Sequence, residues 1–278
     1  MIPVAFEYKR VLTVEEAVTV LAAGQAKLLA GGYSLLPSMK LRLNQPAKLV
    51  DISNIPSLKG IKAENGQIII GAGTTHHDIG INEIIKTHLP FFITAAGLIG
   101  DVQVRNRGTI GGSLAHADPA ADWPALVLAV EAQIEVMGSG GMRNIQATDF
   151  FTGLFATQLK DDEIVTAIRI PIPEKGSKMI YLKFPHPASR FAVVGCAVVR
   201  YPGEKTNIAF TGLSDTPFRD TAAENAVSGK SLDSATIESA VTMAANDVTI
   251  LSDNFTSQEY RKHLAKVYLK RALQALVE

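Results

Sequence analysis

Apolar positions along the first half of the chain recur at helical and at strand spacing in turn, so helices and strands are predicted to alternate. Thr13 followed by Glu16 is the signature of a capping box, and the helix that it opens is predicted to end at Gly24. The short apolar runs at 26–30 and 48–53 predict two strands with a short helix between them. The start of the chain therefore predicts a βαβ unit.

The middle of the chain combines regular segments with one that has no clear period. The run QIIIGAG at 67–73 predicts a buried strand, and 77–99 predicts a helical stretch that Pro90 breaks. Residues 100–123 are rich in Gly, Ala and polar residues without regular spacing, which predicts an irregular segment of the kind that often carries function. A buried helix that runs into a strand is predicted next, and 162–173 predicts a strand closed by prolines.

The last hundred residues follow a different pattern. Three apolar runs, MIYLKFPH, FAVVGCAVVRYP and TNIAFTGLS, predict antiparallel strands joined by turns. Three helical segments are predicted after them, at 221–228, 234–247 and 257–277. This change divides the chain into a first domain at 1–175, with parts at about 1–56 and 57–175, and a second domain at 176–278.

Composition narrows the class of protein. The 278 residues carry 27 basic and 27 acidic side chains, and this balance argues against binding to nucleic acid or to an acidic membrane. No apolar run approaches the roughly 18 residues of a membrane span, and the first residues lack the pattern of a signal peptide. Because Cys196 is the single cysteine, this chain alone cannot form an internal disulfide or hold a cysteine-ligated iron–sulfur cluster. A cytoplasmic protein is expected.

Two glycine pairs beside hydroxyl residues are the first candidates for chemistry. The segment from Ala30 to Ser34 follows a predicted strand, and the segment from Thr109 to Ser113 follows two arginines. Glycine lets backbone N–H groups approach a phosphate closely, so the two segments together could bind a diphosphate from both sides without a lysine. Taken singly, each segment is more often a turn or loop that binds nothing.

The sequence lacks residues that other motifs of nucleotide binding and catalysis require. His76 stands where a Rossmann fingerprint needs its third glycine, and Glu224 stands where a P-loop needs its first. Neither glycine segment contains the Gly-x-Ser-x-Gly of a nucleophile elbow. His116 and Asp118 could form a metal pair, but no third ligand is evident, so no metal site is expected.

Asp122 has two readings. It follows the second glycine segment, where a carboxylate is well placed to accept a hydrogen bond from a ribose or ribityl hydroxyl. It also directly precedes Trp123 and a proline at the start of a predicted helix, which is the position of an N-cap. One residue can fill both roles.

At these residues the sequence resembles a known family. The segments at 30–46 and 109–125 look like the two FAD-binding loops of the medium subunit of molybdenum hydroxylases, most of all the carbon monoxide dehydrogenase type and more distantly the flavin domain of xanthine dehydrogenase. The resemblance continues in order to EYRKHLAKVYLKRAL near the end of the chain. It implies an α+β fold of the vanillyl-alcohol oxidase/p-cresol methylhydroxylase type: two α/β subdomains, then a three-stranded antiparallel sheet with a helical bundle.

The resemblance also implies the residues that bind the cofactor, non-covalent FAD. The first family loop corresponds to Leu28, Leu29, Ala30, Gly31, Gly32, Tyr33, Ser34 and Leu35. The second corresponds to Thr109, Ile110, Gly111, Gly112 and Ser113. Single positions that match cofactor contacts are Ile99, Asp122, Ile164 or its neighbour Val165, and Lys183 near the flavin ring. The alternative for Lys183 is a solvated lysine on a strand.

The function implied by the resemblance is electron transfer within a larger enzyme. A large subunit would hold the molybdenum cofactor and a small subunit the [2Fe–2S] clusters, and this chain would pass their electrons through FAD to an external acceptor such as a quinone, NAD or oxygen. One alternative is a stand-alone FAD oxidoreductase, for which His76, His77 and His186 are the obvious candidates as a general base. The other is a scaffold subunit that has lost its flavin.

Overall fold

The structure is a computed structural model and describes residues 2–277. Its strands are β1 (Glu7–Arg10), β2 (Ala26–Leu29), β3 (Lys48–Asp51), β4 (Ile61–Glu64), β5 (Gln67–Gly71), β6 (Gln133–Gly138), β7 (Gly141–Gln146), β8 (Phe151–Gly153), β9 (Ala156–Thr157), β10 (Ile164–Pro171), β11 (Lys178–Pro185), β12 (Ala192–Arg200), β13 (Thr206–Thr211) and β14 (Phe218–Arg219). Its α-helices are α1 (Val14–Ala22), α2 (Leu35–Lys40), α3 (His76–Gly80), α4 (Glu83–His88), α5 (Pro90–Leu98), α6 (Val102–Arg107), α7 (Ile110–His116), α8 (Trp123–Ala129), α9 (Ala147–Phe150), α10 (Thr221–Val227), α11 (Ser234–Met243) and α12 (Gln258–Ala275).

The strands form three main sheets along the chain. The first is parallel with the order β1-β3-β2, as the predicted βαβ unit requires. The second is antiparallel with the order β4-β5-β10-β6-β7, and the third is antiparallel with the order β11-β12-β13-β14. The last sheet therefore has the three predicted strands and a short fourth one.

The third sheet lies between two apolar cores. Successive side chains of a strand point to opposite faces of the sheet. Tyr181 of β11 accordingly lies in the cluster that α5 and α8 form with the second sheet, whereas its neighbour Leu182 packs into the cluster beneath α10, α11 and α12. A smaller cluster lies beneath α1 and includes Val50 and Ile164. The side chains that follow Tyr181 on its own face thus point toward the first domain.

Two predictions of secondary structure are wrong in detail. The stretch at 77–99 is broken at Pro90, which begins α5, as predicted. It has a second break that was not predicted, because Asn82 caps α4 through hydrogen bonds from Ile84 N and Ile85 N to its Oδ1. The segment at 100–123 is not irregular throughout: it contains α6 and α7. Each of these helices has a side-chain N-cap, from Asp101 and Thr109, and each is too short to show a period in the sequence.

Candidate functional site

The first glycine segment is a turn with free backbone donors. Leu28 and Leu29 end β2, Leu35 begins α2, and Gly32 between them has a φ of 82°, which favours glycine. In residues 2–277 no backbone or side-chain acceptor is hydrogen-bonded to the N–H groups of Gly31 through Ser34. Consecutive unpaired N–H groups in a turn are suited to an anion.

The second glycine segment uses most of its donors internally. Ile110 N donates to Thr74 O over 3.1 Å, Gly111 N donates to Ala72 O over 2.9 Å, and Gly112 N donates to the Thr109 hydroxyl over 3.1 Å. Ser113 N likewise donates to the Thr109 carbonyl over 3.0 Å. Hydrogen bonds therefore hold this segment against the end of β5. It offers a ligand fewer backbone donors than the first segment does.

The first segment touches the residues just before the second. A β-carbon on Gly31 would lie 2.8 Å from Gly108 Cα and closer still to the Arg107 carbonyl. A β-carbon on Gly111 would lie 2.7 Å from Ala72 O, directly after β5. Both distances are far below ordinary van der Waals contact. Glycine at position 31 therefore lets the first segment approach the start of the second, and glycine at position 111 lets the second approach the end of β5.

A buried ionic cluster lies beyond the second segment. Lys183 Nζ donates to Asp122 Oδ2 over 2.8 Å and also contacts Leu98 O at 3.3 Å. Tyr181 Oη donates to the other carboxylate oxygen of Asp122 over 2.6 Å. The side chains of Lys183 and Asp122 are only 1% and 5% exposed, so Lys183 is not a solvated surface lysine.

Burial and the neighbouring groups act on the pKa values of this cluster. Burial raises the pKa of Asp122, and the Lys183 ammonium and the Tyr181 hydroxyl oppose that rise. Burial and the neighbouring Asp122 carboxylate raise the pKa of Tyr181, which keeps the phenol protonated as a donor. The N-cap reading of Asp122 is wrong in its chemistry: the residue stands at the N-cap position of α8, but its side chain makes no cap hydrogen bond.

The remaining residues that were predicted to contact the cofactor lie in different surroundings. Ile99 follows α5 and is half-buried, and its carbonyl accepts a hydrogen bond from Arg105 over 3.0 Å. Val165 lies on the same core as α7, whereas Ile164 packs beneath α1 on the opposite face of β10. Val165 therefore lies on the side of the second glycine segment, and Ile164 lies on the side of Leu28 and Ala30 in the first.

Sequence reasoning missed Tyr181. Its position two residues before Lys183 on a predicted strand was the available signal, because alternate residues share one face of a sheet. The arrangement as a whole fits a dinucleotide: free N–H groups for a diphosphate, backbones without β-carbons where the loops meet, and a buried carboxylate that can accept from a hydroxyl.

Comparison with known proteins identifies the family of the chain. Residues 4–173 match the family described as the FAD binding domain in molybdopterin dehydrogenase, and residues 180–276 match the CO dehydrogenase flavoprotein C-terminal domain. The chain is 40% identical to the carbon monoxide dehydrogenase medium chain of Hydrogenophaga pseudoflava, over 99% of this chain and 98% of the relative. It is 35% identical to the glyceraldehyde dehydrogenase medium chain of Sulfolobus acidocaldarius, over 99% of both chains.

Solved structures share the fold over the same length. A carbon monoxide dehydrogenase structure from Hydrogenophaga pseudoflava superposes with a TM-score of 0.96 at 41% identity, covering 99% of this chain and 98% of the other. The family matches and the shared fold thus define a flavoprotein subunit of an oxidoreductase. The chain belongs to the family of FAD-binding medium subunits of molybdenum hydroxylases, whose members include carbon monoxide and xanthine dehydrogenase subunits.

The family, the fold class and the cofactor predicted from the sequence are therefore confirmed. Among residues 2–277, no helix combines the length and the apolarity needed to cross a membrane.

Proposed function

We propose that this chain holds FAD non-covalently between the two glycine segments and passes electrons from the iron–sulfur clusters of a small partner subunit to an external acceptor. A large partner subunit would hold the molybdenum cofactor and oxidise the substrate. The acceptor would be a quinone, NAD or oxygen. The observation that carries the proposal is the contact of Gly31 with residues 107–108, which brings a turn of unpaired N–H groups against the second segment.

Each part of the site has a task in this proposal. The N–H groups of Gly31 through Ser34 bind the diphosphate. Asp122 accepts a hydrogen bond from a hydroxyl of the cofactor, and Lys183 supplies a fixed positive charge beside the flavin, which favours a negatively charged ring. The bound cofactor supplies the redox chemistry, and the protein orients it and sets its electrostatic surroundings.

Non-covalent binding is supported by the position of Cys196, the single cysteine of the sequence. Cys196 is fully buried in the cluster beneath the C-terminal helices, on the far face of the third sheet from Asp122. Burial raises the pKa of its thiol well above the ordinary value, so it is not a nucleophile.

The proposal is tested by removing the flavin from the assembled enzyme. The chain is produced together with its partner subunits, the complex is deflavinated, and its iron–sulfur clusters are reduced chemically. We expect quinone, NAD or oxygen reduction to be lost and then restored by FAD but not by FMN. Acceptor reduction at the full rate without flavin would refute the proposed route. Failure of the chain to assemble with large and small partners would refute the subunit role.

A further inference from the structure

His76 is a buried histidine, and its hydrogen bond with Trp123 determines which ring nitrogen carries the proton. It begins α3, is 5% exposed, and accepts a hydrogen bond at Nδ1 from Trp123 Nε1 over 3.0 Å. An indole N–H can only donate, so His76 Nδ1 carries no proton. Burial and the positive charge of Arg105 lower the pKa of His76 to about 4. At neutral pH the imidazole is therefore uncharged, and its single proton is on Nε2.

This Nε2–H group lies where the two glycine segments meet. A β-carbon on Gly108 would be 2.6 Å from His76 Nε2, and a β-carbon on Gly31 would be 2.8 Å from the Cα of the same Gly108. The backbone N–H of His76 also donates to Gly108 O over 3.0 Å, which fixes the ring against this junction. In the part of the chain that the structure describes, no acceptor is hydrogen-bonded to Nε2.

A diphosphate bound between the two segments would need a further donor on the side of the second segment. The N–H groups of residues 110–113 are committed to internal acceptors, whereas those of Gly31 through Ser34 are free. A diphosphate between the segments would therefore be bound by the backbone on one side and would need other donors on the opposite side. The Nε2–H group of His76, which has no acceptor within the described residues, meets that need.

We propose that His76 binds the cofactor directly, donating its Nε2–H to an oxygen of the FAD diphosphate while Trp123 holds the ring in the required tautomer. This inference rests on the proposed FAD site and adds to it a residue outside both glycine segments. It also assigns Trp123 a positioning role, since the indole sets which nitrogen carries the proton.

Two substitutions separate the functions of the two ring nitrogens. In His76→Asn, the side-chain oxygen can still accept from Trp123, but nothing replaces Nε2–H. In His76→Gln, the longer side chain places its amide group near the position of Nε2. We expect the FAD dissociation constant of the full chain to rise about tenfold or more in His76→Asn, since the lost bond has a charged acceptor, and to rise less than threefold in His76→Gln. The exposed neighbour His77→Asn is the matched control and should bind FAD like the wild type.

A direct readout needs no substitution. In the wild-type chain with ¹⁵N-labelled histidine, adding FAD should shift the His76 Nε2–H resonance and leave the ring in the same tautomer. The inference is overturned if that resonance does not respond to bound FAD, or if His76→Asn and His76→Gln weaken binding equally and in step with a lower melting temperature of the apoprotein. A wild-type chain that binds no FAD would instead refute the proposed site as a whole.

Discussion

Lys183 Nζ and Asp122 Oδ2 lie 2.8 Å apart, and both side chains are almost completely buried. Removing one member of such a pair leaves the other charge without a partner, which costs about 3–5 kcal/mol. Asp122 follows the second glycine segment along the chain, and in the proposed site the pair lies beside the flavin.

Replacement of Lys183 should therefore affect both stability and the flavin. We expect Lys183→Met to lower the free energy of unfolding of the apoprotein by about 3 kcal/mol and to lower the midpoint potential of bound FAD. Denaturant unfolding and spectroelectrochemistry measure the two effects. The double variant Asp122→Asn/Lys183→Met should recover most of the stability because no unpaired charge remains, and it should recover part of the potential because the net charge of the pair is again zero. An unchanged potential in Lys183→Met would show that this charge does not act on the flavin.

Tyr181 should contribute less than Lys183, because its phenol is neutral. Tyr181→Phe removes one donor to Asp122 and leaves the ring packing intact, so we expect a loss of about 1–2 kcal/mol in unfolding free energy and a several-fold weaker affinity for FAD. Tyr260→Phe, at a side chain that is 46% exposed, is the control and should change neither quantity. Identical behaviour of the two variants would mean that Tyr181 does not support Asp122.

The buried imidazole of His76 predicts a specific dependence of stability on pH. Its pKa is about 4 in the folded protein against 6.5 in the unfolded chain. Above pH 6.5, His76 is neutral in both the folded protein and the unfolded chain, so it does not make the unfolding free energy depend on pH. As the pH falls from 6.5 toward 4, the unfolded chain binds a proton that the folded chain does not, so the unfolding free energy falls by up to about 1.4 kcal/mol per pH unit.

The matching measurement compares urea unfolding of the wild type and His76→Asn between pH 7 and pH 4.5. Asparagine does not titrate, so the difference between the two proteins should shift in favour of the variant as the pH falls. A difference that stays constant over this range would show that His76 is protonated equally in both states. The carboxylates common to both proteins cancel in the comparison.

The parts of the site that are local in sequence could be predicted, and the parts that depend on distant contacts could not. The glycine segments and Asp122 stand out because they lie in short runs of glycine, alanine and polar residues. Tyr181 contacts Asp122 across 59 positions of sequence, and Trp123 contacts His76 across 47, so a local pattern does not reveal either partner. The hydrogen bonds of Ile110 N and Gly111 N could likewise not be predicted, because their acceptors depend on how α7 packs against the end of β5.

The central claim is that FAD binds where Gly31 meets the second glycine segment. The most direct test is titration of the full-length apoprotein with FAD, followed by flavin absorbance and acid release, for the wild type, Gly31→Ala and Gly97→Ala. Gly97 lies on α5 with open space around it, so its alanine variant is the matched control. We predict that the wild type and Gly97→Ala bind one FAD that acid releases, and that Gly31→Ala binds at least tenfold more weakly because its β-carbon separates the two segments. Equal affinity in all three proteins, or flavin that stays attached after acid treatment, would contradict the account.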